Sequence, residues 1–312
     1  MLKLNGLSKI YKVGTFGGKS LHAVSDVNFE IMDREVVSLI GESGSGKSTI
    51  GKMILRLTPI TAGSILLDGE DISSIKGQGL KEYYRKVQGV FQDPFSTYNP
   101  IFKADRIFEV IREEFYPQIH APEWRQKIEK SLEDVGLNPS HVLNKFPHQL
   151  SGGQLQRFLI ARALLMKIKF LVADEIISML DASTRIDVLN LLADLKARGL
   201  SILFITHDLS LAYYISEKAV ILYRGCVVEM GATKKIFENP FHPYTAMLMA
   251  SVPRLDKKWE DVVVDLDRKR TETPGDCVYY ERCPDASREC SQRPMLVEVE
   301  PDHFVACNRH KN

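Results

Sequence analysis

The stretch VVSLIGESGSGKST, residues 36–49, decides how this chain is read. A short apolar run leads into GESGSGKST, residues 41–49, which fits the spacing G-x-x-x-x-G-K-S/T. Glycines at that spacing let the backbone fold into a ring of N–H donors around a phosphate. A helix starting at the lysine would aim its positive end at the same point. Gly41, Glu42, Ser43, Gly44, Ser45, Gly46, Lys47, Ser48 and Thr49 are therefore candidate nucleotide-binding residues. Lys47 is positioned to reach β- and γ-phosphates, and the Ser48 hydroxyl to ligate Mg²⁺. Seen alone, the same stretch could be a glycine-rich turn with a surface lysine.

The rest of the chain removes that alternative, beginning with FLVADE, residues 170–175, whose two acids seen alone would read as a plain turn or helix cap. The stretch is a buried-strand run ending in two carboxylates, placing Asp174 to reach a Mg²⁺ shell and Glu175 to reach an attacking water. SILFITHD, residues 201–208, is a second such run. TRIDVLNLLADLKARG between them has amphipathic helical spacing and closes at Gly199. This alternation predicts a parallel sheet covered by helices. Residues 1–40 alternate apolar runs with turn residues, as a sheet-rich start would, and residues 13–20, VGTFGGKS, read as a loop. Between 104 and 137 the pattern is helical, with Trp124, Ile128, Leu132 and Val135 on one face and Gly136 near its end.

Composition bounds the function classes. With 312 residues, 44% hydrophobic and 26% charged, the chain can bury a large core. A net charge of +1 predicts no polyanion, hence no nucleic-acid, partner. No apolar run has the length of a membrane span, and the N-terminus lacks a signal-peptide core. The expectation is a cytoplasmic protein with at most a peripheral membrane role. Cys226, in VILYRGCVVEM, reads as a small buried hydrophobe.

LSGGQLQR, residues 150–157, opens a helical run between the phosphate loop and the acidic strand. With these motifs in this order, the chain resembles the ATP-binding cassette ATPases over about residues 1–235. The resemblance implies a fold class: an α/β P-loop NTPase (RecA-like) core with an N-terminal antiparallel β subdomain and a helical insert at about 93–158. It also implies roles. Tyr11 would stack on adenine, and Ser151, Gly152, Gly153 and Gln154 would contact the nucleotide of a partner subunit. Asp181 would communicate across the dimer. Ser48, Gln92 and Asp174 would hold Mg²⁺, and Glu175, His207, Lys47 and Gln92 would carry catalysis. The family usually has proline after the catalytic glutamate, whereas this chain has Ile176 and Ile177. Both carboxylates are retained, so activity is expected and the departure bears on loop geometry and rate.

From about residue 236 the chain becomes proline-rich and charged, which predicts a small loop-rich C-terminal domain over 236–312. Its segment ENPFHPYTAMLMASVP, residues 238–253, resembles the tail of ATPase subunits from oligopeptide and dipeptide importers. GKMILRL and VFQDPFSTYNP resemble the second of two paralogous subunits of that group. The resemblance implies a heterodimer with a paralogous ATPase subunit, two membrane-spanning permease subunits docking near residues 93–107, and indirect coupling to an extracellular solute-binding protein. The location would be the cytoplasmic face of the cell membrane. Nickel and oligosaccharide or β-glucoside importers share the subfamily and give an alternative cargo. A soluble cassette acting on nucleic acid, or a non-catalytic cassette, are rival classes.

Cys277, Cys283, Cys290 and Cys307 cluster at the end of the chain. Disulfides are disfavoured in the cytosol, and four thiolates in a segment poor in apolar residues suggest a metal staple. The spacing matches neither zinc ribbons nor bacterial ferredoxins, which leaves zinc, an iron-sulfur cluster and free thiols open. Resemblance to the peptide-importer ATPases, some of which hold a 4Fe-4S cluster on a comparable set, points to the cluster, with Zn²⁺ as the alternative.

Overall fold

The computed structural model describes residues 1–13, 18–251 and 277–310. Residues 14–17 of the expected loop at 13–20, and the end of the segment at 238–253, lie outside the described residues. The chain divides into two compact units, residues 1–75 with 203–312, and residues 76–202.

The first unit opens with β1 (Leu2–Lys12), β2 (Ser20–Ile31), β3 (Val36–Ile40), α1 (Lys47–Ile54), β4 (Ala62–Leu67) and β5 (Glu70–Asp71). Strands β2-β1-β4-β5 form an antiparallel sheet in that order, with Leu2 opposite Ile31 and Leu4 opposite Phe29. Alternation in LKLNGL puts Leu2 and Leu4 on one face, where both are buried. All five residues of β3 are buried, as a parallel strand covered on both faces requires.

The second unit contains α2 (Gly77–Lys86), β6 (Val87–Val90), α3 (Arg106–Phe115), α4 (Ala121–Glu133), α5 (Pro139–Val142), α6 (Gly152–Leu164), β7 (Phe170–Asp174) and α7 (Ala182–Ala197). β6 pairs parallel to β7, Val87 opposite Phe170. The helical stretch expected over 104–137 is two helices. Pro117 biases Tyr116 away from helical backbone and Tyr116 sits at φ −137°, so α3 ends there. Trp124, Ile128 and Leu132 line the buried face of α4, Val135 packs just beyond its end, and Gly136 turns the chain at φ +73°. Phe108 of α3 stacks on Phe158 of α6 at 4.8 Å. Gly199, at φ +107°, closes α7 as its sequence predicts.

The chain re-enters the first unit through β8 (Ser201–Thr206), which begins at the end of the second. It continues with α8 (Leu209–Ile215), β9 (Lys218–Tyr223), β10 (Cys226–Ala232), α9 (Thr233–Glu238), α10 (Pro243–Ala250), β11 (Val297–Glu300) and β12 (His303–Val305). The strand order here is β11-β12-β10-β9-β3-β8, with β3 and β9 parallel. Cys226 is buried at 5% exposure. The tail pairs back into the sheet: Glu229 of β10 lies opposite Val305 of β12. The Glu229 carboxylate is fully buried. It accepts the N–H groups of Phe241 (2.8 Å) and His242 (3.0 Å) and lies 2.8 Å from His303 Nε2, fastening the FHPY stretch to both strands.

Candidate nucleotide site

In the first unit, β3 delivers the chain into a loop with no room for side chains at two of its glycines. A Cβ at Gly41 would lie 2.1 Å from the Leu222 carbonyl oxygen, and one at Gly46 would lie 2.4 Å from that of Ala23. Gly46 is also at φ +104°, the left-handed region that glycine enters without strain. α1 begins at Lys47, directly after this turn. Lys47 is 4% exposed, and its ammonium donates to the carbonyls of Gly41 (2.7 Å) and Glu42 (2.9 Å), so the loop curls around it. The Ser45 N–H donates to the Glu42 carbonyl at 3.1 Å, and the Ser45 carbonyl accepts from Gly225 N–H at 2.8 Å. These contacts fix residues 41–49 as a compact ring at a helix N-terminus, the arrangement that receives phosphate.

Two further candidates lie in this unit. His207 is exposed just after β8, and Asp208 behind it caps α8 through the N–H groups of Ser210 and Leu211. Tyr11 lies on β1 opposite Leu21, with the Lys9 ammonium 4.9 Å from its ring centroid.

The second unit carries the acidic and signature residues. Asp174 ends β7 at 6% exposure. Glu175 follows at φ +51°, an uncommon backbone for a non-glycine residue and one that clusters at functional sites. Its carbonyl accepts from the Ser178 N–H (3.1 Å) and hydroxyl (2.9 Å), while Ile176 and Ile177 are buried at 1% and 2% exposure. The turn that proline usually stiffens is thus held here by a serine and two packed isoleucines.

Asp181 caps α7. It accepts from the Thr184 N–H and hydroxyl and from the Ser183 hydroxyl, and these bonds hold its carboxyl down at about 2. Ser151 caps α6, with Gln154 returning the bond to the Ser151 N–H at 2.9 Å. A Cβ at Gly153 would lie 2.5 Å from Thr184 Cγ2, so the signature turn packs directly against the residue that holds Asp181. Gln92 is exposed just after β6. The strand leading to it is tied to the signature helix: Gln156 Nε2 donates to the Phe91 carbonyl (3.3 Å) and Arg162 to that of Gly89 (2.9 Å). Sequence reasoning missed Gln156 and Arg162. Their only signal is that they share with Arg157 the polar positions of the largely apolar run LQRFLIARAL.

None of the four tail cysteines forms a disulfide. Burial raises the thiol pKa of Cys277, Cys283 (to about 11) and Cys307, and neighbouring thiols add to each shift. The Cys277 N–H donates to the Cys290 carbonyl at 3.1 Å. They therefore share one neighbourhood, but among the described residues no group of three or more His, Cys, Asp or Glu could hold a metal ion. The geometry gives the expected 4Fe-4S cluster, or zinc, no support. Nor is any described helix long and apolar enough to cross a membrane.

Phosphate loop, acidic strand end and capped signature helix on an α/β scaffold define an ATP-binding cassette ATPase. Residues 24–178 match the family model described as ABC transporter, and the chain belongs to this family of transporter ATPases. Residues 228–290 match a second model, described as oligopeptide/dipeptide transporter, C-terminal region. The oligopeptide transport ATP-binding protein AppF of Bacillus subtilis is 38% identical over 322 residues, 99% of this chain and 97% of that protein. OppF of Streptococcus pyogenes, of the same description, is 40% identical over 295 residues, 94% of this chain and 91% of that protein. Among solved structures, the cassette MJ0796, a dimer in a post-hydrolysis state bound to ADP and Pi, superposes with a TM-score of 0.67. It is 30% identical, covering 75% of this chain and 99% of that one.

Proposed function

We propose that this chain is the ATP-hydrolysing subunit of an importer of dipeptides and oligopeptides, working at the cytoplasmic face of the cell membrane. The observation that carries the cargo class is the match of residues 228–290 to the oligopeptide/dipeptide C-terminal region. Relatives with oligopeptide transport in their names, similar along nearly the whole chain, support it. The partners would be a paralogous ATPase subunit and two membrane-spanning permease subunits, with a solute-binding protein supplying cargo from outside. The exposed Phe95, Ile101 and Phe102, just after Gln92, suit a permease contact.

In this reading the residues take the following roles. The backbone of residues 41–49 and the Lys47 ammonium bind the β- and γ-phosphates, and Tyr11 offers a ring to adenine. Ser48, Gln92 and Asp174 would hold Mg²⁺, which when bound neutralises charge on the phosphate oxygens. The buried Asp174 carboxylate and the serine hydroxyl are the hard oxygen donors such an ion takes. Glu175 orients or deprotonates the attacking water, and His207 stabilises the transferred group. Ser151, Gly152, Gly153 and Gln154 act on the nucleotide held by the partner subunit, and Asp181 communicates between the two. Catalysis then consists mainly of positioning and charge stabilisation.

The domain assignment in this reading is a cassette over 1–235, with its helical insert at 93–158, and a tail over 236–312. The tail cysteines would serve a 4Fe-4S cluster, a reading that rests on their number and on the resemblance to peptide-importer ATPases and not on their geometry. Iron and sulfide assays on anaerobically purified protein read this directly, and stoichiometric zinc without iron would contradict it. Function is tested in proteoliposomes holding the chain with its partner ATPase and permeases. ATP-dependent uptake of labelled peptides supports the proposal. Uptake of a β-glucoside or nickel without peptide uptake would overturn it.

A further inference from the structure

Glu42, the second residue of the phosphate loop, is held from the far end of the chain. Its N–H donates to the Tyr244 hydroxyl on α10 at 3.0 Å. Its carboxylate takes both terminal nitrogens of Arg282, Nη1 to Oε2 at 3.0 Å and Nη2 to Oε1 at 3.1 Å. Its carbonyl accepts from Lys47 and Ser45 within the loop itself. Both outside contacts therefore come from residues C-terminal to β10, one of them from the cysteine-bearing segment.

Arg282 is not a loose surface partner. Its side chain is 14% exposed, and its guanidinium lies 5.8 and 5.9 Å from the ring centroids of Tyr223 and Tyr279. A two-pronged guanidinium–carboxylate bond fixes orientation as well as distance. The preceding residue, Glu281, lies 3.8 Å from the Arg224 guanidinium. Arg224 and Gly225 form the two-residue turn between β9 and β10, and the Gly225 N–H is the donor to the Ser45 carbonyl. The single 3-10 turn Tyr280–Arg282 thus sets a carboxylate against the β9–β10 turn that abuts the phosphate loop and a guanidinium against the loop itself. Beneath it, Tyr279 packs against Tyr223 (5.2 Å) and Tyr244 (5.4 Å), and Cys283 belongs to the same buried cluster, with Cys277 packed against it.

We propose that Arg282 and Tyr244 are positioning residues for the phosphate loop: they hold Glu42, and through it the loop's ring of N–H donors, in the shape that binds ATP. The cysteine-bearing segment then acts on nucleotide affinity within its own subunit. This rests on the ATPase reading above. By thermodynamic reciprocity, ATP that binds the braced loop more tightly must also stabilise the segment that braces it.

The test measures MgATP affinity of the full chain and of variants. Arg282→Ala should bind ATP about five- to tenfold more weakly, the scale of a modest coupling between sites. Arg282→Lys, which keeps the charge without the fork, should recover part of the loss. Glu42→Ala should weaken binding by a similar factor, and the double variant should lose no more than either alone. Tyr244→Phe, which removes one hydroxyl and keeps the packing, gives an independent reading should Arg282→Ala fold poorly. It should weaken ATP binding severalfold at unchanged thermal stability. In the unaltered chain, ATP should slow amide exchange over residues 277–290. Unchanged affinity in both Arg282→Ala and Tyr244→Phe, or losses that multiply in the double variant, would overturn the proposal while leaving the ATPase reading intact. Failure of the unaltered chain to bind ATP would overturn both.

Discussion

Acid should destabilise the first unit through His242. The ring is 2% exposed, and its Nδ1 accepts the Tyr244 N–H at 3.0 Å, which requires that nitrogen to be unprotonated. Burial lowers its pKa from 6.5 to about 4, with Glu229 pulling the other way and His310 adding to the fall. The Tyr279 ring lies 5.6 Å away and offers no charge. The unfolded chain therefore takes up a proton at His242 before the folded one does, so stability is full above pH 6.5 and drains as the pH falls toward 4. Between about pH 7 and about pH 4.5 the loss from this one group is about 2.5 kcal/mol. The comparison variant is His242→Asn, which keeps an acceptor at the start of α10 but cannot titrate. Urea unfolding of both proteins at the two pH values isolates the contribution. The native chain should lose about 2.5 kcal/mol more than the variant. Parallel losses would show that His242 is not the group responsible.

Gly46→Ala should abolish ATP binding and lower stability by about 2–3 kcal/mol, since it combines a left-handed backbone with a backbone oxygen 2.4 Å from the new Cβ. Calorimetric titration with ATP and thermal unfolding check it. Gly153→Ala should displace Thr184 and loosen Asp181, reducing ATPase turnover of the assembled transporter about tenfold or more. Ile101→Asp should leave ATP binding by the isolated chain unchanged while reducing copurification with the permease subunits, because Ile101 is 76% exposed.

The nucleotide machinery was legible in the sequence wherever it is local. Residues 41–49, the apolar strand ending at Asp174 and the Ser151 cap are each encoded within a dozen positions, and the backbone follows from glycine placement and capping chemistry. The break between α3 and α4 was readable in principle from Pro117, but the continuous apolar pattern around it dominated. What sequence spacing could not reach is long-range. Arg282 meets Glu42 across 240 positions, and β12 joins β10 through a pairing that no local pattern encodes. A buried Glu229 likewise gives no hint, within its strand, that it will accept bonds from Phe241, His242 and His303. The substitution of Ile176 for proline shows the same limit. The bonds from Ser178 that stabilise the turn become visible only once the turn is drawn.

In the proposed function, Glu175 drives ATP hydrolysis. Glu175→Gln keeps the size of the side chain and removes the base. In the assembled transporter, with the partner subunit's own glutamate also replaced, the account predicts ATP affinity like that of the unaltered protein and turnover reduced about a hundredfold or more. Hydrolysis at the unaltered rate would contradict it.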